Sequence, residues 1–356
     1  MVRVTALLIC FLLLFSCTVA EESEPPAIAQ KEDAMSPTSV QKIYLAGGCF
    51  WGVEAYMEKL YGVTEASSGY ANGHTENPTY REVVTGETGF AETVEVVYDP
   101  QKITLPVLIS HYFRVIEPTV LNRQGNDIGT QYRTGIYYTD PKEEAVLQKM
   151  LDLLQQDEKE PVVVELEPLE NFYAAEDYHQ DYLKKNPFGY CHINLDLADE
   201  LFVPKYPYLL EDLEEKRQAL TGAQRDIGLE QGTEPPFSHP LWDAQEPGAY
   251  VDIVSGQPLF LSTGKYECGC GWASFHTAAS ADVVIFREDT SHGMKRTEVL
   301  SALSELHLGH IFPDGPEEHG GMRYCINGEV IRFVPYEELD QEGYGYLKAF
   351  IKQEED

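Results

Sequence analysis

The first half of the chain alternates between short apolar runs and segments with apolar residues at helical spacing. Residues 42–46 form a strand-like run, Gly47-Gly48 ends it, and apolar residues then recur at helical spacing from Phe50 to Leu60. Further strands are predicted at 93–98, 135–139 and 162–166, and further helices at 105–116 and 141–156, the latter opened by its proline. Strands interleaved with helices predict an α+β or α/β unit.

The second half has a different pattern. A charged helical connector is predicted at 208–221. Any helix that continues beyond this connector must end at Pro235-Pro236. Short β-rich runs separated by Gly, Pro and His then occur at 250–254, 257–262, 281–286, 297–300, 323–326 and 329–334. This spacing predicts a mainly β unit. The halves share no repeat, and we place the boundary between about Asp199 and Tyr208.

The N-terminus carries the pattern of an export signal. Arg3 precedes an apolar run from Val4 to Phe15, which is too short to span a bilayer and is typical of a signal-peptide core rather than a retained anchor. Residues 18–20 suit a cleavage site, and residues 14–17 loosely resemble a lipoprotein box that would lipidate Cys17. We therefore expect an exported protein of the periplasm or cell envelope, bound to membrane only if Cys17 is lipidated.

These patterns divide the chain into five segments. We predict a signal peptide at 1–20, a flexible tether rich in Glu, Pro and Ser at 21–40, and a first folded domain at 41–199. A helical connector follows at 200–220, and the second domain occupies 221–356.

Composition and charge exclude several functional classes. With 43% hydrophobic and 11% aromatic residues, the chain is not a disordered protein. A formal charge of −33, with no run of four basic residues, disfavours binding to nucleic acid or anionic lipid. The seven cysteines are too few and too scattered for a disulfide scaffold, so reactive thiols or metal ligands are expected.

Cys49 is the first candidate for chemistry. It lies between a predicted strand and a predicted helix, where free backbone N–H groups and the helix dipole favour an anion. We expect the pKa of such a thiol to be lowered, which makes it a nucleophile rather than a buried structural cysteine. Phe50 and Trp51 would give an apolar wall for a small methyl-bearing ligand, although simple core packing is an alternative for Phe50.

Six separated segments of the first half resemble those of methionine sulfoxide reductase A. They are GGCFWG at 47–52, NPTY at 77–80, GFAETVEVVYDP at 89–100, DIGTQYR at 127–133, AEDYHQDYL at 175–183 and GYCHI at 189–193. The resemblance covers about residues 42–199 and implies a mixed sheet with helices. It also implies that Cys49 attacks the sulfoxide sulfur while Phe50 and Trp51 hold the methyl group.

The same resemblance assigns groups to the sulfoxide oxygen. Glu92, Tyr80 and Tyr132 would hydrogen-bond this oxygen, with Asp127 close behind them. A sulfoxide oxygen leaves only when protonated, so a carboxylic acid kept neutral by burial suits Glu92, which heads an apolar strand. Attack leaves a sulfenic acid on Cys49, and Cys191 is the only other cysteine of this domain that can condense with it.

The second half resembles methionine sulfoxide reductase B. The matching segments are GTEPPF at 232–237, GCGWASF at 269–275, HLGHIFPDGP at 307–316 and GGMRYCIN at 320–327. The resemblance covers about residues 208–350 and implies two antiparallel sheets. It makes Cys325 the nucleophile and Trp272 the wall of the methyl pocket.

Further residues follow from this second resemblance. His307, His310 and Asn327 would supply hydrogen bonds and protons, since histidine titrates near neutral pH. Arg323 stands two residues before the nucleophile and favours its thiolate. Reading the His-x-x-His pair as a metal site is less favoured, because no further Cys or His pair at ligand spacing accompanies it.

This chain differs from many members of the family it resembles at the positions of their zinc ligands. Where those carry two Cys-x-x-Cys pairs, this chain has Asp252 and Ser255, then Ser301 and Ser304. Because a neutral hydroxyl is a poor zinc ligand beside a thiolate, we expect no zinc and no other cofactor.

Two cysteines compete for the role of second thiol in this half. In an extended segment Cys268 and Cys270 share a face, so spacing alone leaves both open. The resemblance selects Cys270, which holds the cysteine position of the GCGW motif, while Cys268 stands where Ser is usual. Cys49 would then pair with Cys191 and Cys325 with Cys270, leaving Cys268 as a spare or backup thiol.

Together the resemblances imply a bifunctional enzyme that reduces methionine sulfoxide in proteins and as the free amino acid. The first domain would take the S epimer and the second the R epimer, since one enzyme type serves each. Alternatives are a general thiol–disulfide oxidoreductase and a non-catalytic module that binds oxidised methionine. A thioredoxin-like protein is the expected reductant of the disulfides that form.

Overall fold

The computed structural model describes Met1 and residues 40–351, excluding the side chain of His292. The predicted signal peptide and tether, and Cys17 with them, therefore lie outside the described residues apart from Met1 and Val40. No helix within 40–351 is long and apolar enough to cross a bilayer.

The first half contains eight strands and five α-helices within residues 40–199. In chain order they are β1 Gln41–Gly47, α1 Phe50–Met57, β2 Val63–Ala71, α2 Tyr80–Val83, β3 Ala91–Tyr98, α3 Leu105–Val115, β4 Arg123–Gln124, β5 Asp127–Ile128, β6 Thr134–Tyr138, α4 Glu144–Asp157, β7 Glu165–Pro168, β8 Phe172–Ala174 and α5 Tyr182–Lys185.

Six of these strands form one mixed sheet in the order β7-β6-β1-β3-β2-β8. Only β6 and β7 run parallel, and the other neighbours are antiparallel. Tyr112 of α3 fixes the end of β1, because its hydroxyl donates to the carbonyl of Ala46 at 2.6 Å and accepts from the N–H of Gly135 at 3.1 Å. The mixed sheet with helices confirms the predicted α+β class.

The second half is mainly β. After two short helices, α6 Leu213–Gln218 and α7 Gly222–Gly228, come β9 Gly248–Asp252, β10 Pro258–Leu261, β11 Ala273–Phe275, β12 Val284–Asp289, β13 Arg296–Ser301, β14 His307–Phe312, β15 Arg323–Ile326 and β16 Ile331–Pro335. They form sheets in the orders β10-β9-β16 and β11-β15-β14-β13-β12. Every pairing is antiparallel, which confirms the two predicted antiparallel sheets.

Several predicted elements differ in extent from those observed. The connector is not one helix: a 3₁₀ turn at Tyr206–Leu209 precedes α6, whose N-cap Asp212 accepts from two backbone N–H groups. A second capped helix then starts after Thr221, so the capping residues divide the segment. The helix predicted from Pro141 begins at Glu144, because residues 141–143 form a turn.

The two halves meet at the end of the described chain. The 3₁₀ helix Gly345–Phe350 follows β16, and the hydroxyls of Tyr346 and Tyr208 are hydrogen-bonded at 2.9 Å. Gly345 lies so close to the backbone of Lys102 that a Cβ would approach its carbonyl oxygen to 2.5 Å. One continuous set of buried apolar residues therefore runs through both halves.

Candidate active sites

The backbone around Gly48 places Cys49 at the start of a helix. Gly48 has a φ of +80°, and a Cβ there would lie 2.4 Å from the Cβ of Gln124. The chain therefore reverses from β1 into α1 at a position only glycine tolerates. Cys49 is the N-cap of α1, as the sequence predicts, and is 7% exposed.

Glu92 of β3 faces the same helix end. It is 1% exposed, and its carboxylate accepts the backbone N–H of Phe50 at 3.2 Å. Burial raises the pKa of Glu92 to about 8, the negative charge of Asp127 also raises it, and the Phe50 N–H opposes them. The carboxyl is therefore mostly protonated at neutral pH, in agreement with the expected neutral acid.

The thiol of Cys49 does not have the lowered pKa that its helix position suggests. Burial raises its pKa, and the charge of Glu92 adds to this, while the backbone N–H of Trp51 gives the only opposing contribution. The expectation of a lowered pKa is wrong because desolvation outweighs the helix N-terminus. Cys49 and Glu92 both hold their protons at neutral pH.

Two phenols and a second carboxylate complete the polar side of this site. Burial, followed by the charge of Glu92, raises the pKa of Tyr80 to about 12 and also raises that of Tyr132. Both hydroxyls therefore remain donors. Asp127 on β5 raises the pKa of Cys49, Glu92 and Tyr132, and its Oδ2 is buried with no hydrogen-bond partner among the described residues.

The aromatic wall is larger than the sequence predicts. The indole N–H of Trp51 donates to Nδ1 of His179 at 3.1 Å, and its ring stacks on Tyr182 with centroids 3.6 Å apart. Phe50 is fully buried, 5.0 Å from the His179 ring. His179 and Tyr182 lie in the matched segment 175–183, but no role was assigned to them because their contacts are over 100 residues away in sequence.

Glu176, in the same segment, also positions a residue of this site, and the sequence pattern did not reveal this. Its carboxylate accepts the Tyr70 hydroxyl at 2.8 Å and the backbone N–H of Tyr80 at 2.9 Å. It therefore fixes the start of α2 and with it the Tyr80 phenol.

Cys191 packs beside the first turn of α1. A Cβ on Gly52 would lie 3.1 Å from its Sγ, so the sulfur packs closely against this position of the helix. Its thiol donates to the carbonyl of Ile193 at 3.1 Å, and Cys191 is one of the groups that raise the pKa of Cys49. Both cysteines are free thiols.

The second site is built around β15. Cys325 lies between Ser274 of β11 and His310 of β14, which are its register partners on the two sides. A cavity of about 120 Å³ opens at this point. It brings together four of the predicted residues with four others: Trp272, His310, Cys325 and Asn327 with Thr233, Arg296, Gly309 and Phe312.

Each histidine of this site is paired with its own carboxylate. Nδ1 of His307 lies 2.7 Å from Glu298, and Nε2 of His310 lies 2.8 Å from Asp289. Burial lowers the pKa of His307, whereas the Glu298 hydrogen bond opposes this change. Nε2 of His307 is buried with no partner among the described residues, and the two rings are 5.3 Å apart.

The roles of Glu298 and Asp289 were not predicted, because nothing in the sequence distinguishes them from the other residues among the 59 acidic ones. Only the pairing of β12, β13 and β14 brings them to the two histidines. Within residues 40–351, no group of three or more His, Cys, Asp or Glu side chains is arranged to hold a metal ion.

Asn327 shapes the wall of this cavity through both ends of its amide. Its oxygen accepts the backbone N–H of Glu234 at 3.1 Å, and its nitrogen donates to the carbonyl of Leu308 at 3.0 Å. The carbonyl of Glu234 in turn accepts the indole N–H of Trp272 at 3.1 Å. Asn327 thus holds Trp272 in place, and one amide hydrogen is left for a ligand.

Arg323 carries the positive charge beside Cys325. Two of its nitrogens each lie 2.9 Å from the carboxylate of Asp314, and its guanidinium lies 4.7 Å above the Phe312 ring. Burial raises the pKa of Cys325, and Arg323 opposes this by charge and hydrogen bonding. The expected support of the thiolate is present, but burial is the larger effect.

The described part of the second half contains one disulfide, which does not involve Cys325. Cys268 and Cys270 are joined by a disulfide with Cα atoms 5.4 Å apart, and Cys325 is a free thiol. The Cys270–Cys325 bond is expected only after Cys325 has been oxidised, so the free Cys325 thiol leaves it a prediction, while Cys268 has Cys270 as its partner here. Gly269, with a φ of +69°, lets the chain turn sharply enough for two sulfurs so close in sequence to meet.

The positions that replace the usual zinc ligands are buried and hydrogen-bonded to one another. Ser304 donates to Asp252 at 2.5 Å, and the other carboxylate oxygen accepts the backbone N–H groups of Val254 and Ser255. Ser301 accepts the N–H of Ser304 at 3.3 Å. A set of one carboxylate and three hydroxyls, already used in bridging two turns, does not fit zinc.

Two family models match the chain. That of peptide methionine sulfoxide reductase matches residues 41–207, and that of the SelR domain matches residues 220–335. Among solved structures, Mxr1 from Saccharomyces cerevisiae in reduced form is 38% identical, covering 45% of this chain and 93% of that one, with a TM-score of 0.43. Methionine sulfoxide reductase A of Corynebacterium diphtheriae is 40% identical, with coverages of 44% and 79% and a TM-score of 0.41. Mxr1 in complex with Trx2 is 27% identical, with coverages of 43% and 91% and a TM-score of 0.30.

Free thiols beside proton-donating groups in two separate places, at Cys49 and at Cys325, are typical of a thiol-dependent reductase with two sites. The chain belongs to the methionine sulfoxide reductase family, with a type A domain in its first half and a type B, or SelR, domain in its second. It reduces the S and R epimers of methionine sulfoxide, as the sequence predicts. The general thiol–disulfide oxidoreductase and the non-catalytic binding module are thereby set aside.

Proposed function

We propose that each domain completes the reduction with its own nucleophile, pocket and second thiol. The observation that carries this proposal is the position of the buried Glu92 carboxyl at the start of α1, where it accepts the Phe50 N–H and keeps its proton near the buried Cys49 thiol. The proposed domains are 41–199 and 221–356, joined by the connector at 200–220.

In the first domain, Cys49 attacks the sulfur of the S epimer. Phe50 and Trp51 hold the methyl group, and Glu92 transfers its proton to the sulfoxide oxygen while Tyr80 and Tyr132 donate hydrogen bonds to it. Asp127 lies close behind and raises the pKa of Glu92, which favours the acid form. The thiol proton of Cys49 passes to Glu92 and restores its acid form, the oxygen is transferred from the methionine sulfur to Cys49 as a sulfenic acid, and methionine leaves. Cys191 then displaces water from the sulfenic acid to give a disulfide.

In the second domain, Cys325 performs the same step on the R epimer. Trp272 walls the methyl pocket, and His307 and His310 hydrogen-bond and protonate the oxygen, each oriented by its carboxylate. Asn327 positions Trp272 and directs its remaining N–H toward the site. Cys270 displaces water from the Cys325 sulfenic acid, and this requires Cys270 to be in its reduced form.

We further propose that the protein works without zinc or another cofactor. The hydrogen bonds that join Asp252 to Ser255 and Ser304 replace the metal as the link between two turns. Elemental analysis that finds one zinc per purified chain would disprove this.

The proposed reductant is a thioredoxin or thioredoxin-like protein of the exported compartment. Such a dithiol opens a disulfide through a mixed-disulfide intermediate, and the segment around Gly269 is exposed to it. The proposed substrates are oxidised proteins and free methionine sulfoxide. The proposed location, the periplasm or cell envelope, rests on residues 1–20, and mass determination of the mature N-terminus, including any lipid on Cys17, tests it.

Turnover of separated epimers by single-site variants tests the assignment. Cys49→Ser is expected to abolish reduction of the S epimer and leave the R epimer unaffected, and Cys325→Ser to do the reverse. The unaffected epimer reports that each variant is folded. Loss of both activities in either variant would refute two independent sites.

A further inference from the structure

The proposed reaction uses Cys270 but gives Cys268 no task, although the two sulfurs are bonded to each other. A Cys270 in this bond has no thiol with which to resolve a Cys325 sulfenic acid. The observed pairing must therefore either block the reaction or follow it.

Ser274 connects the three sulfurs of this region. It is fully buried, and its Oγ lies 3.1 Å from Sγ of Cys268 and 3.3 Å from Sγ of Cys270. It is also the register partner of Cys325 on the neighbouring strand, so the two side chains stand on the same face of the sheet. One hydroxyl thus lies beside the disulfide and across from the nucleophile.

Arg323 makes a second connection. Its Nη1 lies 3.7 Å from Sγ of Cys270, and its charge acts on Cys325 two residues along the same strand. A guanidinium held rigidly by Asp314 between these sulfurs favours whichever of them carries negative charge during exchange.

From this arrangement we propose that Cys268 is a second resolving thiol, and that each R-epimer turnover ends with a Cys268–Cys270 disulfide and a regenerated Cys325 thiol. The inference rests on the proposed roles of Cys325 and Cys270 and adds one step to them. The observed disulfide is then the product that the external dithiol reduces.

The added step is a disulfide exchange that balances without another reactant. The Cys268 thiolate attacks Sγ of Cys270, forming the 268–270 bond and breaking the 270–325 bond. Cys325 leaves as a thiolate beside Arg323 and takes up the proton that Cys268 lost. No net oxidation occurs, because one disulfide replaces another.

The surroundings of the pair suit reduction by a protein partner. Gly269 between the two cysteines is exposed, and a Cβ placed on it would contact nothing within 4 Å. Cys325, by contrast, lies in β15, a strand paired on both sides, at a small cavity. The relay therefore moves the disulfide from the strand to an open loop.

The amount of product formed without reductant tests the relay. The pre-reduced full-length chain, freed of reductant, is given excess R epimer of free methionine sulfoxide, and methionine is measured per chain. The relay restores the Cys325 thiol once, so the wild type is expected to yield about two equivalents, and Cys268→Ser about one. Glu267→Gln, which changes an exposed side chain of the same loop, is the matched control and is expected to give the wild-type yield.

Peptide mapping after one equivalent of sulfoxide gives an independent readout on the wild type. The expected result is a Cys268–Cys270 link with Cys325 open to alkylation, and in Cys268→Ser a Cys270–Cys325 link. A wild-type yield of about one equivalent with a persistent Cys270–Cys325 link would overturn the relay. Product formation by Cys325→Ser would instead refute the proposed nucleophile, so the two failures are distinguishable.

Discussion

Replacing Glu92 with Gln tests whether a buried, protonated carboxyl drives reduction of the S epimer. The substitution keeps the size of the side chain, and the amide oxygen can still accept the Phe50 N–H that Glu92 accepts at 3.2 Å. What disappears is the transferable proton. General acid catalysis contributes about 10²–10⁴-fold, so we expect the S-epimer rate to fall by that factor, which corresponds to about 3–5 kcal/mol of barrier.

The pH dependence follows from the raised pKa of about 8 for Glu92. The acid form is present below pH 8 and is lost as the pH rises through it, so wild-type reduction of the S epimer is expected to decline in that direction. The other groups facing this carboxyl, Cys49, Tyr80 and Tyr132, have raised pKa values and keep their protons beyond that point. In Glu92→Gln the decline near pH 8 is expected to vanish along with most of the rate.

The raised pKa of Glu92 also makes the free energy of unfolding depend on pH. The pKa is raised from 4.5 in the unfolded chain to about 8 in the folded one, so the contribution of Glu92 to stability is greatest below pH 4.5 and decreases as the pH rises to 8. At pH 7 the ionisation penalty amounts to about 3 kcal/mol. We therefore expect the free energy of unfolding of Glu92→Gln, relative to that of the wild type, to increase as the pH rises from 5 to about 8.

The assay follows both epimers from pH 6 to 9, and urea unfolding is measured at the same pH values. Reduction of the R epimer by the other domain reports that the variant protein is intact. An S-epimer rate within a few-fold of the wild type, or a stability difference that does not change with pH, would refute the reasoning.

Four further perturbations test other features of the two sites. Arg323→Gln removes the positive charge that supports the thiolate of Cys325 two residues away, so the R-epimer rate is expected to fall about tenfold. The pH at which the Cys325 thiol becomes reactive toward an alkylating reagent is expected to rise. Ser304→Ala leaves one buried oxygen of Asp252 without its donor, and urea titration is expected to show a loss of about 1–3 kcal/mol; a loss below about 0.5 kcal/mol contradicts the hydrogen-bonded link. Chelator is expected to leave the melting temperature of the wild type unchanged, and a drop would reveal a structural metal. Gly48→Ala forces a side chain into a left-handed position with a clash, so S-epimer turnover is expected to be lost while R-epimer turnover persists; equal S-epimer rates would contradict the steric argument.

Secondary structure was predictable where the apolar pattern was regular. Strand β1 and helices α1 and α3 lie where the spacing places them. Strand β2, Val63–Ala71, was missed because its sequence is rich in Ser, Gly and Glu, and only pairing between β3 and β8 makes it a strand. Strand β14 was missed because two histidines and a glycine interrupt its pattern, although those histidines face the site.

The catalytic groups were accessible to sequence reasoning to different degrees. Motifs located the cysteines, and local chain geometry placed Cys49 before α1. The hydrogen-bonding partners of the site residues were not accessible. His179 contacts Trp51, Glu298 contacts His307 and Asp289 contacts His310 only once the chain is folded. In a chain with 59 acidic residues, none of these carboxylates has a distinguishing local signal.

The sequence by itself determined the two domain types, through motifs that resemble those of the two reductase types, and the place of Cys49 between a strand and a helix. Strand ends, glycine turns and helix starts are local properties of the chain. The tertiary structure alone decided the protonation states and the sulfur pairing. Burial holds the proton on Glu92 and on Cys49 against the helix N-terminus, since desolvation depends on everything packed around a group. The folded loop around Gly269 likewise joined Cys268 to Cys270, because a disulfide requires sulfurs that meet in space.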